Sequence, residues 1–327
     1  MTTRRAFIAG LGGAAAWPVA VRAQTPTLPV IGILHMQSPE AYAEPMRAFR
    51  QGLKEGGHVE GNNVSIEYRW AENQVERLAE LAAELVRRRV AVIAATGGIP
   101  SVLAARQATT ATPILFVSGN DPVKLGLVPS LARPGGNVTG VNFFGVELTA
   151  KRLELLRELM PAATRIALLI NPASPEQGSS VTEVETAARV IGLQVRILTA
   201  GNSREISAAF ANMARERPDA LIVGAGPPFN GRRIQLAHLA SYHRIPTIYA
   251  QRQNVDIGGL MSYGASLTDA YRQIGLYAGR ILKGEKPADL PVVQSTKFEL
   301  VINAETARML GIDVPQSLLA RADEVIE

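Results

Sequence analysis

The sequence contains no cysteine, and this absence excludes several kinds of site. Disulfide bonds, thiol nucleophiles, cysteine metal sites and lipid attachment through an N-terminal cysteine are not expected. Stability must come from a packed core, and a chain of 327 residues is long enough to bury one. That length predicts two domains. Apolar residues at 47% and charged residues at 19% are typical of a globular protein.

Acidic residues are missing from the N-terminus, where the first is Glu40. Arg4 and Arg5 precede an apolar run at 6–21, and small residues surround Ala23. This order is typical of a secretory signal peptide, which we expect to span residues 1–24 with cleavage near Ala23. An uncleaved membrane anchor is the alternative, but the run is short for a span and contains glycine and proline.

The string TRRAFI at residues 3–8 resembles the twin-arginine export motif and strengthens that prediction. Export by this route places the protein in the periplasm. Removing the three signal arginines lowers the formal net charge of +5 to +2. No basic stripe then remains to follow phosphates, so no nucleic-acid partner is expected.

The common catalytic motifs are also missing. The chain has no G-x-S-x-G elbow, no P-loop and no H-E-x-x-H pair. His238 and His243 are five residues apart, so they point to different faces of a predicted helix and do not form a metal pair. We expect no enzyme activity, no metal and no cofactor. An exported enzyme with Asp121 or Asp256 as general base is a disfavoured alternative.

Short apolar runs alternate with amphipathic segments from Leu28 onward. Examples are LPVIGILHM (28–36), followed by a helix ending at Gly56-Gly57, and VAVIAAT (90–96), followed by a helix. The alternation resumes after ARPGGNVTGVNFF (132–144), which is rich in turn-forming residues. Strands alternating with crossover helices predict an α/β fold with two doubly wound parallel-sheet lobes.

The C-terminal segments GGLMSYGA (258–265), a helix from Leu267 to Lys283, and FELVIN (298–303) are not needed to complete either series. They are interpreted as crossings that fasten the lobes together. The predicted boundaries are 28–143 plus about 264–291 for the first lobe, and 144–263 plus about 292–327 for the second.

In an open parallel sheet, ligands bind at the carboxyl ends of the strands. The turns expected there are rich in Gly, Pro, Ser and Asn and precede helices, whose N-termini favour small anions. Five aromatic residues fall at or near these turns and crossings, although aromatics make up only 5% of the chain. The aromatic residues are Phe143, Phe144, Phe229, Tyr249 and Tyr263. The predicted ligand-binding residues are Gln37, Ser38, Thr96, Gly97, Ser101, Asn120, Asp121, Asn171, Ser174, Gly226, Phe229, Tyr249 and Tyr263.

Structural roles compete with ligand binding at these positions. Ser101 and Ser174 suit helix caps. Asp121 follows the apolar run TPILF (112–116) and precedes Pro122, where we expect a helix to begin, so it suits a cap as well as a ligand contact. The aromatic residues either pack the hinge or sandwich an apolar part of a ligand. We favour the ligand contact for Asp121, which would hold an ammonium group if the ligand is an amino acid.

The block DPVKLGLVPSLARPGGNVTGV (121–141) and the string ALLINPASP (167–175) resemble the substrate-binding proteins of ABC importers, including TrpX-like members. The resemblance runs over nearly all of the chain beyond the signal, and LARPGGNVTG (131–140) is its most specific part. It implies a type I periplasmic-binding-protein fold with three crossing segments. Some members resemble binders of aromatic amino acids. By position, the ligand turns would lie around Thr96, Asn120-Asp121, Asn171 and Ser174.

The predicted function is capture of a small organic solute, such as an amino acid or an aromatic carboxylate, between the two lobes. The ligand would shift the population from open to closed, and an ABC permease in the inner membrane would receive the closed form. A monomer is expected. A periplasmic sensor that presents its closed form to a receptor kinase or chemoreceptor is the alternative with the same fold.

Overall fold

Apolar runs and amphipathic segments alternate along the chain, and they form two sheets covered by helices. The computed structural model describes residues 28–143, 148–173 and 177–327. The signal-peptide prediction, Phe144 and Ser174 lie outside these residues. The strands within them are β1 Val30–His35, β2 Ser65–Trp70, β3 Val92–Ala95, β4 Ile114–Ser118, β5 Val138–Asn142, β6 Arg165–Ile170, β7 Gln194–Thr199, β8 Ala220–Val223, β9 Thr247–Tyr249, β10 Met261–Ala265, β11 Val293–Gln294, β12 Phe298–Asn303 and β13 Glu324–Ile326.

Helices follow most of the strands. They are α1 Ala43–Glu55, α2 Leu78–Arg87, α3 Ile99–Ala108, α4 Leu148–Leu159, α5 Gln177–Val190, α6 Ser203–Glu216, α7 Pro227–Asn230, α8 Arg233–Tyr242, α9 Leu267–Leu282, α10 Ala304–Leu310 and α11 Gln316–Leu319. Short 3-10 turns lie at Glu40–Tyr42, Val75–Arg77, Arg252–Asn254 and Pro287–Asp289. Among the described residues, none of these helices has the length and apolar character to cross a membrane.

The two sheets define two lobes, and five strands follow the same order in each: β5-β4-β3-β1-β2 and β10-β9-β8-β6-β7. In lobe 1 the order is β11-β5-β4-β3-β1-β2, with parallel neighbours throughout. In lobe 2 it is β13-β12-β10-β9-β8-β6-β7, where only the β10–β12 pair of the described strands is antiparallel. The strand order reverses between β1 and β3 in lobe 1, and between β6 and β8 in lobe 2. Each lobe therefore has a crevice at the carboxyl ends of its strands. The predicted α/β fold with two doubly wound lobes is confirmed.

The chain crosses between the lobes three times: between β5 and α4, between β10 and α9, and between β11 and β12. Helix α9 returns to lobe 1, where Tyr271 and Ile274 pack in one core with Ile31 and Phe49. The sheets thus divide the chain near residues 266 and 295, whereas the sequence placed these boundaries near 264 and 291.

Helices α1 and α9 lie in backbone contact through glycines. A Cβ added at Gly52 would lie 1.9 Å from the carbonyl oxygen of Arg272, and one at Gly275 would lie 2.1 Å from that of Phe49. Any larger residue at either position would push the helices apart. This contact holds the returning helix on lobe 1.

One local prediction was wrong. No helix follows Pro122, because the backbone makes a single helical turn, with the Leu125 amide bonded to the Asp121 carbonyl, before Gly126 turns left-handed at φ 63°. The segment 132–144 is more than a break between lobes, because it contains β5, whose five residues are all buried. Its proline and two of its three glycines precede the strand, and Gly140 lies within it.

Candidate functional site

The crevices of the two lobes face each other across a cavity of about 540 Å³, here called the cleft. This volume is in the range of natural small-molecule sites. Lobe 1 contributes the ends of β1, β3 and β4 together with α9, and lobe 2 contributes the ends of β6, β7 and β8. The lining includes Met36, Tyr42, Thr96, Ser118, Asn120, Phe143, Asn171, Asn202, Glu205, Gly226, Asn230, Arg232, Leu267 and Tyr271.

The two lobes touch at the rim of the cleft. Asn230 Nδ2 donates to the Tyr42 hydroxyl at 3.4 Å, and Arg233 Nη1 donates to the Ala41 carbonyl oxygen at 3.3 Å. Arg232 Nη1 donates to Asn73 Oδ1 at 3.4 Å. Because each bond joins lobe 2 to lobe 1, the lobes stand in a closed arrangement.

The lobe 1 wall is aromatic. Tyr42 and Tyr271 lie with ring centroids 6.1 Å apart, and Phe143 lines the same wall. His35 lies behind them, 4.0 Å from the Tyr42 ring and 5.0 Å from the Trp70 ring. Burial raises the pKa of Tyr42 to about 12, so its hydroxyl stays neutral. Such a wall suits a flat apolar group.

A hydrogen-bond chain fixes this wall. His35 Nδ1 accepts from the Gln37 amide at 3.0 Å, so the ring proton is on Nε2, which lies 3.1 Å from the Tyr271 hydroxyl. Tyr271 in turn donates to the Thr96 carbonyl oxygen at 3.0 Å. Burial lowers the pKa of His35 to about 3, so the imidazole is neutral at physiological pH. This chain of hydrogen bonds, here called the polar path, joins strands β1 and β3 to helix α9.

In lobe 1, three buried polar atoms at or close behind the cleft lack a hydrogen-bond partner within the described residues: Thr96 Oγ1, Ser101 Oγ and Gln37 Nε2. Thr96 lines the cleft, and Ser101 lies in the first turn of α3, which begins without a side-chain cap. Buried polar groups are normally hydrogen-bonded. Uncompensated hydroxyls beside an uncapped helix N-terminus suit a ligand with hydrogen-bonding oxygens.

The lobe 2 wall carries charge. Asn202 Oδ1 caps α6 by accepting from the Glu205 amide at 3.0 Å, while Glu205 Oε1 accepts from Asn202 Nδ2 at 2.6 Å. Glu205 Oε2 also accepts from the Gly201 amide at 2.7 Å. This capping pair holds a carboxylate at the cleft. Arg232 is the second charged side chain of the described lining.

The predicted site residues fall into three groups. Thr96, Asn120, Asn171 and Gly226 line the cleft from both lobes. Gln37, Gly97 and Ser101 are close behind it: a Cβ added at Gly97 would lie 2.5 Å from Ser101 Oγ and 2.2 Å from the Met36 amide nitrogen. The remaining described residues, Ser38, Asp121, Phe229, Tyr249 and Tyr263, do not line the cleft.

Each of these last residues has a structural environment of its own. Ser38 is hydrogen-bonded to Glu40 in a surface turn. Asp121 Oδ1 accepts from the amides of Val123 at 2.8 Å and Lys124 at 3.2 Å, which is a cap. Phe229 and Tyr249 belong to a lobe 2 core. Tyr263 stacks on Phe298 with ring centroids 6.4 Å apart.

The sequence missed Tyr42, Tyr271, Asn202 and Glu205. Tyr42 and Tyr271 lie within helical patterns, where apolar periodicity gave them only a packing role. Asn202 and Glu205 form an N-x-x-E capping box directly after β7, and this motif was the available signal. No cluster of three or more histidine, aspartate or glutamate side chains in the described part of the chain is arranged to hold a metal.

Residues 30–326 match the family described as ABC transporter substrate binding protein. The chain belongs to this family. Similar proteins include a tyrosine-binding protein of Clostridioides difficile strain R20291, which is 27% identical over 293 residues, 86% of this chain and 81% of the relative.

Two solved structures bear on the lobe arrangement. The domain from Streptococcus pneumonia in complex with L-Trp has a TM-score of 0.82, with 26% identity over 92% of this chain and 100% of that one. The ligand-free, open substrate-binding protein with adhesive properties from Clostridium difficile has a TM-score of 0.67, with 26% identity over 92% and 99%. Identity and coverage are nearly equal, so the lower score against the open protein agrees with the closed arrangement of this chain.

Proposed function

We propose that this protein captures an amino acid or an aromatic carboxylate in the cleft and delivers it to an ABC permease. The observation that carries the proposal is the pairing of an aromatic wall, made by Tyr42, Phe143 and Tyr271, with the unpartnered hydroxyl of Thr96. A ring would stack on the wall, and a carboxylate would accept hydrogen bonds at the N-terminus of α3.

Charge on lobe 2 supports an amino acid as the ligand. Glu205 carries the carboxylate of the described lining, and the sequence-based candidate for that role, Asp121, does not reach the cleft. An ammonium group held by Glu205 and a carboxylate held by lobe 1 would bridge the lobes. Such a ligand stabilises the closed form because it contacts both lobes only when they are closed.

The site of action that we propose is the periplasm, on the strength of the signal-like residues 1–24, with the monomer as the working form. The relatives named for tyrosine and L-Trp support the class of solute. Monomer mass by light scattering and fractionation of the producing cells test these two points.

Calorimetry of refolded, ligand-free protein tests the binding function. We expect L-tyrosine or L-tryptophan to bind one to one and to raise Tm. Mass spectrometry of whatever co-purifies with the native protein identifies the natural solute. Failure of every amino acid and aromatic acid to bind or to raise Tm would overturn the proposal.

A further inference from the structure

Lobe 2 contains a cavity that shares no residue with the lining of the cleft. It has a volume of about 280 Å³ and lies between α8 and α10, above β9. We call it the lobe 2 pocket. The residues around it are Ala237, Ala240, Ser241, Arg244, Ile245, Thr247, Tyr249, Gly258, Gly259, Leu260, Thr306, Met309 and Leu310.

An unpartnered phenol lies at the wall of this pocket. Tyr249 is 1% exposed, and its hydroxyl has no hydrogen-bond partner among the described residues. Thr247 donates to the Ile245 carbonyl at 2.8 Å and Thr306 donates to that of Gly258 at 3.1 Å. The Thr247 hydroxyl is the polar neighbour of the Tyr249 phenol, but no hydrogen bond of standard geometry joins the two among the described residues. Burial raises the pKa of Tyr249, so the phenol remains a neutral donor. Leaving such a group unsatisfied is unfavourable, and a molecule in the pocket would satisfy it.

Part of the pocket lining is exposed and basic. Ala237, Ala240 and Leu260 are buried and make apolar walls, while Met309 is 57% exposed. Arg244 is the one charged side chain among the residues that line the pocket, all of which belong to the described chain. Its Nη2 donates to the Met309 carbonyl oxygen at 3.4 Å, and a guanidinium has further N–H groups to offer.

The chemistry of these groups indicates the kind of ligand that would fit. A carboxylate suits Arg244 because its charge stays in contact with water there, whereas burial of the charge near Tyr249 would be unfavourable. An apolar body suits the alanine and leucine walls, and a terminal hydroxyl or carbonyl oxygen would accept from the phenol. Cavities of about 150 Å³ already accept a benzene ring, so this volume fits one substituted ring.

We propose that the lobe 2 pocket is a second small-molecule site, which takes a one-ring carboxylate with a hydrogen-bonding oxygen at its far end. Arg244 binds the carboxylate, and Tyr249 binds that oxygen. The site is independent of the cleft and holds its ligand within lobe 2 alone. Tyr249, predicted from the sequence to bind a ligand, would do so here.

Methionine methyl NMR locates the ligand, because Met309 lines the lobe 2 pocket and Met36 lines the cleft. The probe is 4-hydroxybenzoate, titrated into protein labelled with ¹³C at the methionine methyl groups. We expect a saturable shift of the Met309 resonance, assigned with Met309→Leu, and the same shift after the cleft is filled with its own solute. A shift at Met36 alone, or none at millimolar probe, would overturn the proposal.

Matched variants and ligands test the two polar contacts. Tyr249→Phe is expected to weaken 4-hydroxybenzoate about fivefold and to leave benzoate, which lacks the hydroxyl, unchanged. Arg244→Gln is expected to weaken both acids by about tenfold or more. Tyr242→Phe, at a 74% exposed ring on the same helix α8, is the control and should change neither. Equal affinities in all four proteins would overturn the assignment, and they would do so without bearing on solute binding in the cleft.

Discussion

Gly231 of lobe 2 lies against Gln37 of lobe 1: a Cβ added at Gly231 would be 1.9 Å from Gln37 Oε1 and 2.8 Å from its Cδ. Gln37 is only 1% exposed, so its amide has little room to withdraw into lobe 1. The backbone at Gly231 is right-handed, with φ −68°, and accepts any residue. A side chain at Gly231 would therefore overlap with Gln37 of lobe 1, whereas the backbone conformation at Gly231 would tolerate it.

We predict that Gly231→Ala favours the open form and weakens the cleft ligand by about tenfold, because relief of this overlap requires the lobes to separate. Small-angle scattering should show a larger radius of gyration than wild type at equal ligand concentration, and calorimetry gives the affinity.

Two controls separate closure from a general effect of alanine. Gly136→Ala adds the same methyl where no atom lies within 4 Å, and it should leave affinity unchanged. Adding Gln37→Ala to Gly231→Ala removes the overlapping amide and should restore closure. A Gly231→Ala protein that scatters and binds like wild type would contradict the prediction.

Tyr271→Phe should destabilise lobe 1. The hydroxyl is the acceptor for His35 Nε2 and the donor for the Thr96 carbonyl, so its removal leaves two buried groups unsatisfied. We expect urea unfolding to show a loss of about 2 kcal/mol, and Tyr242→Phe at the exposed ring to show none. Equal midpoints for the two variants would mean that the polar path adds no stability.

His35 should make the protein less stable as pH falls. Its pKa is about 3 in the native state, against about 6.5 in an unfolded chain, so only the unfolded state takes up this proton between those values. The unfolded state binds more protons, and the free energy of unfolding therefore falls with pH, by up to about 1.4 kcal/mol per pH unit from this group.

The window from pH 6.5 to 5 isolates the effect, since most carboxylates stay ionised there. The His35 ring resonance, assigned through NOEs to the Tyr42 ring 4.0 Å away, should keep its neutral position down to pH 5. A titration midpoint near pH 6 would show that burial does not suppress protonation.

The fold followed from the sequence because strand–helix alternation is a local pattern. β1, β3 and β6 are continuous apolar runs, and α9 was placed within one residue at its end. The short strand β11 has two residues and no pattern of its own, and only pairing with β5 makes it a strand. Its position explains why the last boundary between lobes lay beyond the predicted one.

Part of the lining of the cleft was predicted from the sequence. A turn that follows an apolar strand can be recognised from the sequence pattern, but the face of a helix that will line a cleft cannot. Thr96 and Asn171 follow buried strands and do line the cleft. Tyr271 reaches the cleft only because α9 packs on α1 through Gly52 and Gly275, a contact between residues more than 200 positions apart. No local pattern carries that information.

Glu205→Gln should discriminate between ligands. Glutamine keeps one accepting oxygen, for either the Gly201 amide or Asn202 Nδ2, and loses the other, so we also expect a stability loss of about 1 kcal/mol in urea unfolding. An aromatic amino acid should bind about fivefold more weakly, while its deaminated analogue, which has no ammonium group, should bind as before. Equal losses for both ligands would place the ammonium elsewhere in the cleft.

Asp121 should prove to be a cap. Its Oδ1 accepts from the Val123 and Lys124 amides, and the residue is not part of the cleft lining. Asp121→Ala should cost about 1 kcal/mol of stability in urea unfolding, whereas Asp121→Asn keeps the accepting oxygen and should cost only a small fraction of that. Neither variant should change ligand affinity by more than about twofold, a change of less than half a kcal/mol. If Asp121→Asn lost most of its affinity at unchanged stability, the carboxylate would reach the ligand, as the sequence predicted.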